Sequence, residues 1–249
     1  MAENRLDVHG LTDIGRKRKR NEDCFDLVWR GDTVWCVVAD GMGGHAGGDV
    51  ASRTAVDGAV ADVRDSRATG ATALRSAIER AHVDVWAIAE ADPKLLGMGT
   101  TIVCAEITPS TCQVAHVGDS RAYLIHDGAI RQLTTDHSWV GEQVVAGKMT
   151  AEEAAKHPYR GAITRCLGCQ PTVDPEIGDP VTLATGDAVV LCTDGLTGHL
   201  SDQEIVEIVL AHDAEEGGVK LVELANERGG QDNITVMVLK LRPAADQRA

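Results

Sequence analysis

The chain has 249 residues, of which 43% are hydrophobic and 25% are charged, as in an ordinary globular protein long enough to bury a core. Its formal net charge of -14 at pH 7 disfavours nucleic acid and anionic membrane as partners, because both need a cationic surface. The sequence contains no apolar leader and no apolar run of bilayer length. We therefore expect a cytoplasmic protein with no membrane partner, and we expect it to be a monomer.

The seven cysteines are an odd number, and we expect all of them to be reduced thiols in that compartment. Cys36, Cys104 and Cys192 lie within apolar runs and are predicted to be small core residues. Cys166 and Cys169 have the spacing of a metal or redox motif, but no second pair completes a zinc site. Neither a zinc role nor a redox role is therefore expected for this pair.

In chain order, residues 6–15 are predicted to form a first strand, and five consecutive cations follow at residues 16–20. Such a run is compatible with a nuclear-localisation or nucleic-acid patch, and also with a simple solvated loop. A third interpretation is that one arginine turns inward and binds a phosphate group through two N–H groups, beside the carboxylates of Glu22 and Asp23. The run by itself does not distinguish which arginine that is.

Apolar patterns predict a hairpin of two strands at residues 25–29 and 33–39, followed by two helices at 50–63 and 71–91. The rest of the chain is predicted to form short strands, a polar segment that interrupts them and a second pair of helices. Strands are predicted at residues 100–107, 111–117, 121–125, 130–133, 181–183, 188–192 and 234–241, and helices at 202–210 and 219–227. The interruption at residues 136–159 is polar and weakly amphipathic, which is typical of an inserted surface flap.

The order of strands, helix pair, strands, helix pair and final strand predicts an α+β fold. We expect a four-layer αββα sandwich, in which two central antiparallel sheets are flanked by pairs of antiparallel helices. No internal repeat or linker is visible, so residues 1–242 are predicted to be one domain with a flap at about 136–162. Residues 243–249 are predicted to be a loose tail.

The stretch after the strand at 33–39 is unusual, because the apolar run ends on Asp40 and five glycines occur in the next eight residues. Glycine lets the backbone fold tightly and allows a carbonyl oxygen, such as that of Gly41, to approach a cation. The segment is compatible with a site for a hard cation such as Mg²⁺ or Mn²⁺. A tight turn in which Asp40 caps the following helix explains the same segment without any metal.

Asp40 is one of four aspartates that end strands or lie on tight turns, together with Asp119, Asp194 and Asp232. Any one of them alone is typical of a turn. Three directly follow apolar runs, and strands that pack side by side bring their ends to one edge of a sheet. Converged carboxylates repel one another unless cations neutralise them, so the set predicts a centre of two divalent cations that activates a water molecule.

Six ordered motifs resemble those of the metal-dependent PPM (PP2C-type) Ser/Thr phosphatases, and most closely those of bacterial members. The resemblance runs from about residue 11 to residue 241 of the chain. Its motifs are Arg18-x-x-Asn21-Glu22-Asp23, Val38-Ala39-Asp40-Gly41-Met42-Gly43-Gly44-His45, Gly99-Thr100-Thr101, His116-Val117-Gly118-Asp119-Ser120-Arg121, Thr193-Asp194-Gly195 and Gly230-x-Asp232-Asn233. The resemblance implies Mn²⁺ or Mg²⁺ as cofactor, with two core ions and a third, weaker one.

The same resemblance implies that the acidic residues of these motifs hold the metal ions. Asp40 would bridge the two core ions, and Gly41 would add its carbonyl oxygen. The other ligands would be Asp194 and Asp232 on the first ion, Asp119 with Asp194 on the third ion, and Glu22 and Asp23 through metal-bound water. His116 lies inside a strand-like run and is predicted to be a core histidine rather than a ligand.

The resemblance also indicates which residues handle the phosphate group. Arg18 corresponds to the arginine that binds the substrate phosphate, so Arg16 and Arg20 would be solvated members of the basic run. Eukaryotic relatives carry a histidine directly after the Asp-Gly pair as a proposed general acid, whereas Met42 stands there in this chain. His45, three residues later, is the candidate general acid, and a metal-bound water is the alternative.

These features predict a protein serine/threonine phosphatase that hydrolyses phosphoserine and phosphothreonine through a metal-bridging hydroxide. Its expected partners are phosphorylated proteins and a cognate bacterial Ser/Thr kinase with its substrates. A non-catalytic regulatory module of the same fold is one alternative, and the intact Asp40, Asp194 and Asp232 argue against it. A nucleotide-binding protein is the other alternative, and the absence of a GxxxxGK[ST] loop argues against that.

Overall fold

The computed structural model describes residues 5–43 and 47–243, so His45 and the tail beyond residue 243 lie outside the described residues. The strands are β1 (Arg5–Asp13), β2 (Asp23–Arg30), β3 (Thr33–Met42), β4 (Gly99–Thr100), β5 (Ile102–Ile107), β6 (Thr111–Val117), β7 (Arg121–His126), β8 (Ala129–Gln132), β9 (Glu176–Ile177), β10 (Val181–Thr182), β11 (Ala188–Cys192) and β12 (Ile234–Arg242). The helices are α1 (Gly48–Asp65), α2 (Gly70–Ala91), α3 (Trp139–Val145), α4 (Ala151–Lys156), α5 (Asp194–Thr197), α6 (Asp202–Ala211) and α7 (Ala214–Glu227). Within the described ranges, no helix is both long enough and apolar enough to cross a membrane.

The strands form two antiparallel sheets. One sheet has the order β1-β12-β11-β7-β8, and the other has the order β10-β6-β5-β3-β2, with β4 paired to β3 and β9 paired to β6. Helices α1 and α2 pack on the second sheet, mainly on β2, β3 and β6, whereas α6 and α7 pack on the first sheet through β8, β1 and β12. The predicted α+β fold of four layers, with the two sheets in the middle, is confirmed.

Three apolar clusters hold the four layers together, one at each interface between layers. Side chains alternate along a strand, so β3 sends Trp35 and Val37 into the cluster beneath α1 and α2, and Cys36 and Val38 into the cluster between the sheets. Both faces of β3 are therefore covered. This explains why the strand reads as an unbroken apolar run rather than as an alternating pattern.

Several predicted strand boundaries are wrong: the first strand ends at Asp13 rather than at residue 15, the second begins at Asp23 rather than at residue 25, and two further differences lie next to Asp40. Strand β3 does not end before Asp40 but continues to Met42, because Gly41 and Met42 pair with β4. The predicted strand at residues 100–107 is two strands, since Thr101 stands between β4 and β5. The break at Thr101 frees its backbone to contact Asp40, as described below.

Helix α7 begins five residues earlier than predicted. Asp213 caps it by accepting the backbone N–H of Glu216 at 2.9 Å, and Gly217 and Gly218 continue the helix instead of interrupting it. Both glycines are buried, and a Cβ built on Gly218 would make ordinary contacts with His9 of β1 and Val238 of β12, so the helix packs directly on the sheet at this point. Glycine lowers helix propensity, which is why the sequence pattern placed the start after this pair.

Cys166 and Cys169 are joined by a disulfide, so the expectation that all seven cysteines are thiols is wrong for this pair. Leu167 between them pairs with Thr100, and Gly168 adopts a left-handed turn with φ of 77°, which brings the two cysteines together. The other five cysteines are free and buried, as predicted for three of them.

The segment predicted as a flap contains α3 and α4, which are capped by their own neighbours. Ser138 accepts the Gly141 N–H, and Thr150 forms a reciprocal capping box with Glu153. Few of its side chains are buried. The rings of Trp139 and His157 instead stack at the surface, and the ring of Tyr159 meets Trp139 edge-on and is tilted against His157. A substrate-selecting role for this segment stays a prediction.

Candidate metal centre

Two neighbouring strands place the first pair of carboxylates opposite each other. Asp23 begins β2 and Asp40 lies near the end of β3, and the two residues are direct partners in the register of this hairpin. Side chains of such antiparallel partners point to the same face, with Cβ atoms roughly 4.5–5.5 Å apart. Asp23 and Asp40 therefore lie together at one end of the second sheet.

Three further aspartates reach this point from loops and from the other sheet. Asp119 lies in the turn between β6 and β7, Asp194 begins α5 two residues after the end of β11, and Asp232 lies two residues before β12. The carboxyl groups of Asp194 and Asp40 are close enough to share a hydrogen bond. The five aspartates thus gather where the ends of the two sheets meet.

The cluster is buried and acidic, which makes ionised carboxylates costly there. Burial, and then the charges of Asp23, Asp194, Asp119 and Asp232, raise the pKa of Asp40 well above its ordinary value. Burial also raises the pKa of Asp23 and of Asp119 to about 7. Burial and the charge of Asp232 raise the pKa of Asp194. Bound cations would offset this repulsion.

The backbone of Asp40 is held on both sides by threonines. The N–H of Thr101 donates to the Asp40 carbonyl at 2.9 Å, and the Thr101 hydroxyl accepts the Asp40 N–H at 3.0 Å. The Thr100 hydroxyl donates to the same carbonyl at 2.9 Å, and the hydroxyls of Thr101 and Ser120 share a hydrogen bond of 2.7 Å. The Gly99-Thr100-Thr101 motif therefore fixes the position of the central aspartate.

Asp23 is held through one of its two carboxylate oxygens. Thr193 and Thr235, from the other sheet, donate their hydroxyls to its Oδ2 at 2.9 and 2.7 Å. Its Oδ1 is buried and has no hydrogen-bond partner within the described part of the chain. A buried carboxylate oxygen left without a donor is costly unless water or a cation supplies the contact.

Asn233 joins the loop of the basic run to the centre. Its side chain accepts the backbone N–H of Glu22 at 2.8 Å and donates to the carbonyls of Ile14 and Arg20, each at 2.9 Å. The carbonyl of Glu22 in turn accepts the Gly41 N–H at 3.0 Å. One buried amide therefore positions both Glu22 and, through it, the backbone at Gly41.

Arg18 reaches the centre from the basic run and forms an ion pair with Asp232, with Nη2 and Oδ2 2.6 Å apart. Its side chain remains 48% exposed, so it can also contact a bound solute. Asp232 is oriented further by the Asn233 N–H, which donates to its other oxygen at 2.8 Å. Phosphate binding by Arg18 stays a prediction, and His45 cannot be placed because it lies outside the described residues.

A second group of possible metal ligands lies beside the aspartates. His116, His137 and Glu176 offer ligand atoms within 4.8 Å of one another, and no trio of aspartates in the described ranges meets that spacing. The two imidazole rings are stacked, however, with centroids 4.5 Å apart and planes 15° apart. A metal lies in the plane of each imidazole that binds it, so two stacked rings do not share one cation. His116 is buried, as predicted for a core histidine.

A family model described as protein phosphatase 2C matches residues 14–231, which include Asp23, Asp40, Asp119 and Asp194. The match spans well over half of the chain. The chain belongs to the protein phosphatase 2C family. The membership predicted from the six motifs is therefore confirmed.

Similar proteins support the same membership. Serine/threonine phosphatase stp of Listeria monocytogenes serovar 1/2a is 38% identical over 237 residues, which are 92% of this chain and 93% of that protein. The crystal structure of the Mycobacterium tuberculosis serine/threonine phosphatase PstP/Ppp has a TM-score of 0.85 at 36% identity, covering 95% of this chain and 99% of that one. The catalytic domain of PstP in complex with two manganese ions has a TM-score of 0.82 at 34% identity, covering 95% and 98%.

The residues of this family member suit divalent metal in three respects. All the clustered side chains offer oxygen, the donor that Mg²⁺ and Mn²⁺ prefer. The buried Oδ1 of Asp23 lacks a donor. A Cβ on Gly41 would lie 2.0 Å from the Gly48 carbonyl oxygen and 2.6 Å from that of Glu22, so only glycine fits there. The donor set therefore fits the metal chemistry of the family.

The residues that hold the aspartates in place have no predicted role in the sequence motifs. Thr193 is part of a motif that was given no role for it, Thr235 lies outside every motif, and a signal for Thr235 exists. It is a fully buried polar residue inside the apolar run of β12, and a buried hydroxyl in such a run needs a partner. Its partner, Asp23, lies 212 residues away in the chain, so the sequence pattern identifies the need but not the contact.

Proposed function

We propose that this chain is a metal-dependent protein serine/threonine phosphatase that hydrolyses phosphoserine and phosphothreonine esters in proteins at the Asp40 centre. The observation that supports this best is the gathering of four buried or half-buried aspartates around Asp40 in a protein phosphatase 2C. The names of the similar proteins agree with this activity, since they are serine/threonine phosphatases.

The proposed cofactor is Mn²⁺ or Mg²⁺, with two core ions and a third, weaker one. Asp40 would bridge the core ions and Gly41 would add its carbonyl oxygen. The remaining contacts would come from Asp194 and Asp232 on the first ion, Asp119 with Asp194 on the third, and Glu22 and Asp23 through water. Bound cations would supply an activated hydroxide and would polarise the phosphoryl oxygens.

The chain itself would orient the substrate and manage its charge. Arg18 would exchange its contact with Asp232 for two parallel N–H contacts to phosphoryl oxygens, which is a geometry that guanidinium favours. The leaving serine or threonine oxygen needs a proton, for which His45 or a water molecule is the candidate donor. The threonines around Asp40 and Asp23 would keep the carboxylates in place during turnover, so no reorganisation of the acidic cluster is needed.

The physiological substrates would be phosphorylated proteins made by a cognate Ser/Thr kinase, whose effect this enzyme reverses. The flap would contact these proteins without contacting the metal ions. A cytoplasmic location, a monomeric state, the single domain at 1–242 and the loose tail stay predictions.

A cysteine-based phosphatase is the mechanistic alternative, because Cys24 and Arg30 have a Cys-x5-Arg spacing. Both residues lie in strand β2 rather than in a phosphate-binding loop. Burial raises the pKa of the Cys24 thiol to about 11, so it is not a thiolate at neutral pH. This argues against nucleophilic cysteine chemistry in the chain.

The test is phosphate release from a phosphothreonine peptide by the purified chain with Mn²⁺, with Mg²⁺ and with EDTA. We expect activity with a divalent cation, none with EDTA, and recovery after the metal is restored. Cys24→Ala is the control and should retain activity. A folded chain that binds Mn²⁺ but releases no phosphate would support the non-catalytic module instead, and EDTA-resistant activity lost in Cys24→Ala would support the cysteine mechanism.

A further inference from the structure

Gly118 lies directly before Asp119, and both of its backbone polar groups are bonded to His137. The N–H of His137 donates to the Gly118 carbonyl at 3.0 Å, and the Gly118 N–H donates to His137 Nδ1 at 3.1 Å. Gly118 has a φ of 107°, and a Cβ there would lie 2.6 Å from the Cβ of Thr101. The turn that carries Asp119 is therefore confined between Thr101 on one side and His137 on the other.

The Gly118 contact fixes the tautomer of His137. A backbone N–H only donates, so Nδ1 must present its lone pair, and the proton of the neutral ring lies on Nε2. Nε2 lies 3.2 Å from an oxygen of Glu176, which accepts that proton in a hydrogen bond. Arg165 Nη1 lies 2.9 Å from the same nitrogen, which has no lone pair left to accept from it. Burial, and less strongly the charge of Arg165, lower the pKa of His137 below its ordinary value.

His137 is also part of the base of the flap. Its carbonyl accepts the Thr164 N–H at 2.8 Å, and the next residue, Ser138, is the N-cap of α3. The preceding residue, Asp136, accepts two N–H groups of Arg121, at 2.9 and 2.6 Å. Residues 136–138, at the base of the flap, are therefore bonded both to Thr164 at the other end of the flap and to Gly118 and Arg121 on either side of Asp119.

We propose that His137 is a positioning residue that couples the flap to the metal centre: its Nδ1 holds the Gly118 N–H, Glu176 holds the ring, and Asp119 is kept in place as a result. Movement of the flap at its base would then be transmitted to Asp119. The inference rests on the proposed function for its kinetic readout, but the contact itself is testable without activity.

The first readout is hydrogen exchange at the Gly118 amide in the metal-free protein. His137→Ala removes the acceptor, and we expect exchange at Gly118 to become about tenfold faster. His137→Asn places an amide oxygen close to the position of Nδ1, so exchange should return to within about threefold of wild type. His82→Ala is the matched control, because His82 is equally buried and accepts the Gly168 N–H through Nδ1 at 3.4 Å. It should leave Gly118 unchanged.

The second readout is the Mn²⁺ dependence of p-nitrophenyl phosphate hydrolysis. His137→Ala should raise the Mn²⁺ concentration needed for half-maximal activity about tenfold, and His137→Asn should restore it. In an Asp119→Asn background, His137→Ala should change nothing further, because both act through the same carboxylate. Glu176→Ala should speed exchange at Gly118 about threefold, and Glu176→Gln, which still accepts the Nε2 proton, should not.

Unchanged exchange at Gly118 in His137→Ala would overturn the proposal, as would equal behaviour of the Ala and Asn variants. Effects of His137→Ala and Asp119→Asn that multiply would indicate a merely structural histidine and would overturn it too. If His137→Ala fails to fold, the exchange rates of the Gly118 amide in His137→Asn and in Glu176→Ala provide the test instead. A wild-type protein inactive with every metal would contradict the proposed function alone, since the exchange result stands without it.

Discussion

The aspartate centre and the flap are built in opposite ways. In the centre, Asp40 and Asp23 are held by hydroxyl and amide groups from segments far away in the chain, such as Thr101 and Thr235. In the flap, α3 and α4 are capped by adjacent residues, and Tyr159 is 62% exposed. The centre is therefore fixed by the whole fold, whereas the flap is stabilised locally. Changes in the centre should alter chemistry, and changes in the flap beyond its base at His137 should alter substrate choice.

The largest expected effect comes from Asp40→Asn, which keeps the shape of the side chain but removes its charge. An amide bridges two cations poorly, so activity with Mn²⁺ should fall at least about a thousandfold, or ~4 kcal/mol in the activation free energy. Phosphate release from a phosphothreonine peptide measures this. Asp32→Asn, at the exposed hairpin turn between β2 and β3, is the matched control and should be silent. An Asp40→Asn enzyme within tenfold of wild type would mean that the centre lies elsewhere.

Arg18→Ala should have the next largest effect. Loss of a charge-assisted contact to the phosphate should lower kcat/KM by roughly 1.5–3 kcal/mol, mainly through a higher KM. Steady-state kinetics on the peptide measures this. Arg16→Ala and Arg20→Ala are controls of the same charge and should stay near wild type. Damage from Arg20→Ala without damage from Arg18→Ala would show that the motif is aligned incorrectly.

Two threonines test whether the centre and the flap are held differently. Thr101→Val leaves the buried N–H of Asp40 without its acceptor and should lower the free energy of unfolding by about 1–3 kcal/mol, with a matching loss of activity. Thr150→Val removes the capping box of α4 and should lower the free energy of local unfolding of that helix by about 1 kcal/mol, with no change in p-nitrophenyl phosphate hydrolysis. Denaturant unfolding and kinetics on both variants decide this. Equal loss of activity in the two would remove the distinction between the regions.

The smallest effect on the chemistry is expected from the flap. Replacing residues 140–156 with a short Gly/Ser linker should reduce activity on a phosphoprotein about tenfold. Hydrolysis of p-nitrophenyl phosphate, which is too small to reach the flap, should change less than about threefold. Parallel assays on the two substrates measure the difference. Equal losses on both would make the flap part of the catalytic frame.

The sequence predicted most of the layers because the apolar pattern of each element reports the faces that it buries. It also predicted four of the five aspartates, since strand ends and turns rich in Asp and Gly are visible without any structure, whereas Asp23 was indicated only by the family resemblance. It missed the contacts that hold them. Thr193 and Thr235 reach Asp23 from the opposite sheet, and His137 reaches Gly118 from the base of the flap. Such contacts depend on how the two sheets are packed, which no local pattern encodes.

Short elements were missed for a different reason. Strand β9 has two residues and helix α5 has four, so neither provides enough positions to display a period. The disulfide between Cys166 and Cys169 was missed because the odd number of cysteines and the expected compartment both favoured free thiols. Strand β9 matters for function, because it carries Glu176 to the ring of His137.

In the proposed centre, the carboxylates around Asp40 repel one another until cations bind. The pKa of Asp23 and of Asp119 is about 7 in the folded protein, against about 4 for an ordinary aspartate. Because the pKa of these two aspartates is raised in the folded state, they stabilise the folded protein fully only below about pH 4. This stabilisation is lost as the pH rises through about 7.

Melting temperatures of wild type and Asp40→Asn, measured from about pH 5 to about pH 7.5 with EDTA and with Mn²⁺, test this most directly. With EDTA, the wild-type protein should lose stability as the pH rises, and Asp40→Asn should be at least as stable as wild type at the higher pH. Mn²⁺ at about a hundred times its Kd should stabilise the wild type by roughly 2.7 kcal/mol at neutral pH. A wild-type melting temperature indifferent to Mn²⁺, or a metal-free Asp40→Asn clearly less stable than metal-free wild type, would contradict the account and leave Asp40 a structural turn residue.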